Sequence, residues 1–198
     1  MKTHFLKAAA VAAVVLASAP AVAQQASVLV VNLDRVVNES AAGRAAGTEL
    51  KAKAEAISAK DKSLAEKFKT EEDALTKQKD SVEKGIMQPA QFEANVRGYQ
   101  ERRNKDIQDF NKLRVDFQRS QAYVVEQITA GAAPIIQEVM RERGASLVVK
   151  EGALEAFSNT LDITSTVVQR LDQKLPKVST TPPPAPAQPA TPATPPKK

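Results

Sequence analysis

Two charged helical patterns run toward a single turn and away from it again, and the mirror symmetry of their apolar residues constrains the fold more than any other feature. The turn is the segment 84–89. Within it, Gly85 suits the end of the outgoing helix and Pro89 the first turn of the returning one. Apolar residues stand at equal distances on either side of residue 87. The pairs expected to face each other are Val82 with Phe92, Leu75 with Tyr99, Leu64 with Phe110, Ile57 with Phe117, and Leu50 with Val124.

This register predicts an antiparallel helical hairpin over residues 44–143, an arm of about 60 Å at about 1.5 Å per residue. The first helix carries its apolar residues at alternating steps of four and three, the spacing of a coiled-coil seam. Asp61, Glu71 and Gln78 also fall at seam positions, so the seam is polar in places. The mirror rule places Glu71 opposite Arg103, and this pair of opposite charges favours the register.

Short apolar segments on both sides of the arm predict a small body with β-strands. Segments 28–32 and 147–150 are β-branched runs of strand length, and 154–157 is long enough for a third strand. The predicted fold class is therefore mainly α with a small β body, in which residues 24–43 and 144–176 carry the helical arm.

A final amphipathic helix completes the predicted body, with Thr164 as its candidate cap. Its apolar face comprises Val167, Val168, Leu171 and Leu175. A body of this size with open strand edges is marginal alone. We therefore expect several chains to associate through it, at a surface formed by Val28, Val30, Leu147 and Val149.

The N-terminus has the three parts of a cleavable export signal. A basic start with Lys2 and Lys7 precedes the apolar run 8–16, and the segment 21–23 is an Ala-x-Ala cleavage site. The apolar run is too short to remain as a membrane-spanning helix. We predict export, with residues 1–23 removed by cleavage after Ala23.

The amino-acid composition lacks the side chains on which most catalytic mechanisms depend. The chain has no cysteine and no tryptophan, and its one histidine, His4, lies in the predicted signal. Without thiol or imidazole groups, the exported protein lacks the usual zinc ligands, nucleophiles and acid–base groups. The sequence also contains no phosphate-binding glycine loop. We predict a protein that is not an enzyme and that holds no metal and no cofactor.

From residue 177 onward the composition shifts abruptly to Pro, Ala and Thr. Such a segment has little apolar surface to bury and favours disorder or polyproline II. We therefore expect residues 177–198 to be a passive spacer. The alternative is a specific ligand for a proline-binding domain.

The order of these parts resembles the Skp/OmpH family of periplasmic chaperones over residues 27–176. The resemblance rests on the segments that flank the arm: the opening strand 28–32, the strand 147–149, the Phe-Ser-Asn segment 157–159, and the Asp-Ile-Thr segment 162–164. It implies a periplasmic homotrimer whose strands join in a small barrel. Three arms would then enclose a cavity for unfolded outer-membrane proteins. The family offers no catalytic residues, and the long proline-rich tail departs from its pattern.

A chaperone that releases unfolded clients without ATP needs many weak contacts instead of one deep pocket. Exposed apolar groups near the tip are the best candidates, because Met adapts to varied apolar surfaces. For the two aromatic residues among them, ordinary seam packing is the alternative interpretation. The candidate client-binding residues are Ile86, Met87, Phe92 and Tyr99.

A stripe of basic residues on the returning helix offers a second element, since it could attract acidic clients, lipopolysaccharide or an anionic membrane surface. Interleaved aspartates leave an ordinary solvated helix face as the alternative. Nucleic acid is not expected as a partner of an exported chain with a nearly neutral arm. The basic stripe comprises Arg97, Arg102, Arg103, Lys105, Lys112, Arg114 and Arg119.

Two other functions remain open at this point. The hairpin could be a structural coiled-coil adaptor that docks end-on in the cell envelope, or a binder of lipopolysaccharide and other envelope surfaces. An adaptor requires a well-filled, rigid seam, which the polar seam positions disfavour. The predicted function is an ATP-independent periplasmic holdase for unfolded outer-membrane proteins.

Overall fold

The computed structural model describes residues 27–184, and the predicted export signal lies outside them. The sheet and the four α-helices are, in chain order, β1 (Ser27–Val31), α1 (Leu33–Glu39), α2 (Ala41–Glu83), α3 (Pro89–Glu142), β2 (Ala145–Lys150) and α4 (Thr164–Lys174). Short 3-10 helices at Glu151–Ala153 and Asn159–Leu161 join β2 to α4. The predicted class, mainly helical with a small sheet, is confirmed.

The hairpin consists of α2 and α3, which have 43 and 54 residues. At about 1.5 Å per residue, these helices are about 65 and 80 Å long. Gly85 adopts a φ of 68°, which only glycine reaches without strain, and Pro89 begins α3. The predicted turn is therefore confirmed.

A sharp bend at Ser40, which the sequence analysis did not anticipate, separates α1 from α2. The Ser40 hydroxyl accepts a hydrogen bond from the Gly43 amide at 3.1 Å, and the Ala41 amide donates to the Asp172 carboxylate at 2.6 Å. A Cβ on Gly43 would lie 1.6 Å from the carbonyl oxygen of Val37. Only glycine therefore allows the chain to double back here.

The sheet has two strands within residues 27–184, and they run parallel. Val28 pairs with Leu147, and Val30 pairs with Val149. Parallel strands need a crossover connection, and here the entire hairpin is that connection. The expected third strand at 154–157 is wrong, because the chain forms a 3-10 helix after β2 and adds only an isolated bridge from Asp162 to Val30.

The hydrophobic core lies at the base of the hairpin, where β1, α1 and α4 pack against α2 and α3. Gly131 permits this packing, since a Cβ there would lie 2.9 Å from Leu175 Cδ2. The predicted apolar face of α4 is confirmed. The fully buried residues, all at most 1% exposed, include Val36, Ala42, Ile128, Ala132, Ile135, Val139, Ile163, Val167 and Leu171.

Thr164 does not cap α4, so that prediction is wrong. It is the first helical residue and fully buried, and its hydroxyl accepts a hydrogen bond from the Asn32 amide at 2.9 Å. Asp162 acts at the helix start instead: its carboxylate accepts from the Thr164 amide at 2.8 Å. Burial raises the pKa of the Asp162 carboxyl, but the Thr164 hydrogen bonds and the Arg35 guanidinium outweigh burial and leave that pKa below its usual range.

We expect Asp162→Ala to lower the free energy of unfolding by about 1 kcal/mol at pH 7, as the loss of a helix-start hydrogen bond does. Because the folded pKa of Asp162 is depressed, its contribution is complete above the unfolded pKa of about 4 and disappears as the pH falls through the folded value. Urea unfolding at pH 7 and pH 3 measures both effects. Asp80→Ala, at an exposed site on the arm, is the control, and an equal loss in both variants contradicts the assignment.

Candidate functional site

The arm above its base is a two-helix structure with a thin seam. Leu64 and Tyr99 are buried, with 5% and 7% exposure. The other predicted seam residues of α2 are half-buried, except Asp61, which is exposed. Two helices bury only one stripe of each other, so most of the arm surface faces solvent.

Polar contacts across the seam define the register. Lys67 pairs with Asp106 at 2.6 Å, and the Asn95 amide donates to Gln78 at 2.8 Å. Mirror symmetry about residue 87 predicts that Lys67 faces residue 107 and that Gln78 faces residue 96, one residue later than observed. The centre of symmetry of the hairpin therefore lies half a residue before residue 87. The hairpin register is otherwise as predicted.

The predicted pair of Glu71 with Arg103 is wrong, because the register differs by one residue from the predicted one and places Arg102 beside Glu71. The Glu71 carboxylate lies 3.7 Å from Arg102, while the Arg103 guanidinium stacks over the Phe68 ring at 5.5 Å from its centroid. The Oε2 atom of Glu71 is buried and has no hydrogen-bond partner among the described residues. A polar group in this state weakens the seam at mid-arm.

The predicted tip residues differ in their exposure. Ile86 is 77% exposed, and Met87 and Phe92 are half-buried. Tyr99 lies in the seam instead of on the surface, and its hydroxyl donates to the Glu72 carboxylate at 2.6 Å. Burial, then this hydrogen bond, raises the pKa of Tyr99. Tyr99 is therefore unavailable as a surface contact while the hairpin is closed.

Further apolar surface on α3 was missed by the sequence analysis. Ile107, Leu113 and Val115 are 38%, 43% and 52% exposed, and they lie among charged side chains. The sequence carried a signal for Val115, which does not continue the seam spacing, whereas Leu113 stands at a seam step between Phe110 and Phe117.

The basic residues do not form one stripe. At about 100° per residue, Arg97, Lys105, Lys112 and Arg119 share an arc of about 80°, whereas Arg103 and Arg114 face away from it. Arg97 and Arg119 lie within 4.0 Å of Glu93 and Asp116 respectively. Within residues 27–184, Lys105, Lys112 and Arg114 form no ion pair.

The predicted association surface lies on the face of the sheet that points away from the core. Leu147 is 53% exposed, and Val28 and Val149 are half-buried. Val30 is only 1% exposed, and its main chain is bridged to Asp162. Leu147 is thus the most accessible apolar group of β2.

The first part of the predicted spacer is docked on the arm, in contrast to the sequence expectation. We use the term strap for residues 178–184. Val178 packs against the core and Thr180 is 6% exposed. The prolines 182–184, with Ile57, Leu113 and Phe117 of the arm, line a cavity of about 560 Å³.

Comparison with known proteins identifies this arrangement. Residues 27–171 match the model of the family described as Outer membrane protein (OmpH-like). The chain belongs to the OmpH-like family. The match spans the sheet, the whole hairpin and nearly all of α4, as the resemblance noted in the sequence predicts.

A solved structure shares the fold. It is that of a candidate outer membrane chaperone (OmpH-like) from Caulobacter crescentus CB15, with a TM-score of 0.66 and 18% identity, covering 78% of this chain and 89% of that chain. A search of curated proteins finds no match to this OmpH-like chain. Within residues 27–184, no helix is both long and apolar enough to cross a membrane, and no group of His, Cys, Asp and Glu could hold a metal ion.

We expect Glu71→Leu to raise the free energy of unfolding by about 1 kcal/mol, because it replaces a seam carboxylate whose buried Oε2 has no hydrogen bond among the described residues by an apolar side chain. Urea unfolding followed by circular dichroism measures the change. Glu66→Leu, on the exposed side of the same helix, is the matched control and should change stability by less than about 0.5 kcal/mol. Destabilisation by Glu71→Leu would show that the Arg102 ion pair outweighs the missing hydrogen bond.

Proposed function

We propose that this OmpH-like protein is an ATP-independent periplasmic holdase, a homotrimer that binds unfolded outer-membrane proteins between its arms and prevents their aggregation. Membership of the family supports a chaperone role. The main observation in support is the exposed apolar surface of the arm. Ile86, Ile107, Leu113 and Val115 expose apolar surface along it, separated by charged side chains.

Such a surface suits a client without defined structure. An unfolded chain offers apolar groups at irregular spacing, and binding it orders the chain at a cost in entropy. Scattered contacts can each be made or lost independently, so no nucleotide-driven step is required for release. The arm has the properties of a binding surface rather than those of an enzyme active site.

The adaptor hypothesis is less well supported. A rigid docking arm needs a continuous apolar seam, whereas this seam contains a buried, unsatisfied oxygen at Glu71 and an amide pair between Gln78 and Asn95. Binding to lipopolysaccharide or another anionic surface has one specific observation in its favour, namely that Lys105 and Lys112 lie on one face of α3 and form no ion pair with the other described residues. It would accompany client binding, and it would be the more sensitive of the two to salt.

The apolar contacts are tested by a triple variant, Ile107→Ser, Leu113→Ser and Val115→Ser. We expect it to weaken binding of a urea-denatured outer-membrane β-barrel protein by about tenfold, because three weak contacts of about 0.5 kcal/mol each together contribute about 1.5 kcal/mol. The control replaces three exposed polar residues of the same stretch by Ser: Gln108, Asn111 and Gln118. Light scattering after dilution of the client measures aggregation. Equal suppression by both variants would reject these side chains as client contacts.

The role of the arm as a whole is tested by removing residues 69–106 and joining the helices through a short glycine turn. Every residue of the core lies at or before residue 50 or at or after residue 124, so the shortened protein retains its core. We expect it to fold and associate but to lose aggregation suppression. Full suppression by the armless protein would remove the arms from the mechanism.

The homotrimer is tested at Leu147, which is exposed in the single chain. We expect Leu147→Asp to give monomers, since the free energy needed to bury a carboxylate in this apolar face exceeds the free energy gained by association. Light scattering coupled to size exclusion measures the mass. Ser146→Asp, at the neighbouring exposed residue where the strand register shifts, should leave the trimer intact. A monomeric unmodified protein contradicts the proposed assembly.

A further inference from the structure

The arm holds the strap mainly through the main chain of the strap. Gln127 donates to the Ser179 carbonyl at 2.9 Å and accepts from the Ser179 amide at 3.1 Å. Lys53 donates to the Thr180 carbonyl at 2.9 Å, and Arg119 to the Pro183 carbonyl at 2.9 Å. Amide and carbonyl groups occur in every polypeptide, so contacts of this kind do not depend on the sequence that is bound.

These donors and acceptors lie on both helices of the arm. Lys53 belongs to α2, while Arg119 and Gln127 belong to α3, so the strap lies across the groove between them. The Thr180 hydroxyl adds side-chain contacts, since it donates to Glu49 at 2.7 Å and accepts from Lys53 at 3.1 Å. The arrangement combines main-chain recognition with two side-chain anchors, Val178 and Thr180.

The groove also has room for apolar side chains beside the strap. The cavity of about 560 Å³ has Ile57, Leu113 and Phe117 as its arm-side apolar wall. Leu113 is 43% exposed even with the strap in place. A volume of this size lies within the range of peptide and small-molecule sites.

We propose that this groove is a binding site for unstructured polypeptide, that the strap occupies it in cis, and that a segment of unfolded client displaces the strap. The client part of this inference rests on the proposed function. A tethered occupant reduces the apparent affinity for any competing chain by the fraction of time that the groove is free. The strap therefore limits client binding at the base of the arm.

Displacement is feasible because, apart from the packing of Val178 against the core and the burial of Thr180, the strap is held by a few hydrogen bonds, which are individually weak in water. A longer client can replace each of them and in addition fill the cavity lined by Phe117 and Leu113. The binding surface of the arm thus extends from the exposed tip to the groove at its base.

The test uses the full chain with Ser179→Pro, which removes the amide that donates to Gln127 and leaves the groove unchanged. Ser179→Ala is the matched control, because it keeps this amide and loses a side chain that contacts only Thr181 within the strap. The NMR signals of the Gln127 side-chain amide, which donates to the Ser179 carbonyl in the docked strap, report release of the strap. If these signals show that Ser179→Pro remains docked, Val178→Asp replaces it, since a carboxylate against the core forces release.

Two binding measurements follow. We expect release to lower the Kd for a labelled, urea-denatured outer-membrane β-barrel protein about threefold to tenfold, with no change in Ser179→Ala. A fluorescent peptide of residues 177–184 should bind in trans to the released variant and at least threefold more weakly to the unmodified protein.

The outcomes separate the two proposals. An unchanged or weaker client Kd after release overturns the inference, as does a peptide that fails to bind the released variant at millimolar concentration. If no variant captures the client, the proposed function fails, and binding of the peptide in trans then decides alone whether the groove is a polypeptide site.

Discussion

The packing of α4 against the base of the hairpin is the interaction on which the rest of the structure depends. Val167 and Leu171 are fully buried there, and Gly131 of α3 leaves the space that Leu175 fills. This contact brings the two ends of a long connection together, so that β1 and β2 can pair in parallel although the whole arm lies between them. Stability is thereby concentrated at the base, and the arm extends from it.

An arm made of two helices can bury only a small part of its apolar side chains, so the others remain on its surface. Each helix hides one stripe, and side chains off that stripe, such as Leu113 and Val115, stay in water. Polar groups within the seam, of which Glu71 is the clearest, further reduce the packing. Because the two-helix arm has little buried volume, its exposed apolar side chains are available for weak contacts with an unfolded chain.

The hairpin was predictable because its signals are local. Gly85 and Pro89 determine where the helices end and begin, and the spacing of four and three determines which face is hidden. The register was predicted to within one residue, and the error exchanged Arg103 for Arg102 as the neighbour of Glu71. Of the predicted association surface, Leu147 is exposed whereas Val30 is buried.

The sequence by itself determined the two helices of the hairpin, the turn, the apolar face of α4 and the family, since each depends on residue spacing within one segment or on the order of segments. Only the tertiary structure decided that 154–157 is no strand, that Asp162 instead of Thr164 serves the start of α4, and that the strap lies on the arm. The docking of the strap depends on partners more than a hundred residues away, as between Thr180 and Lys53, and so does the position of Thr164, whose hydroxyl accepts from the Asn32 amide. A proline-rich segment has no internal pattern that reveals such a partner, because its contacts are made by main-chain atoms that every sequence shares.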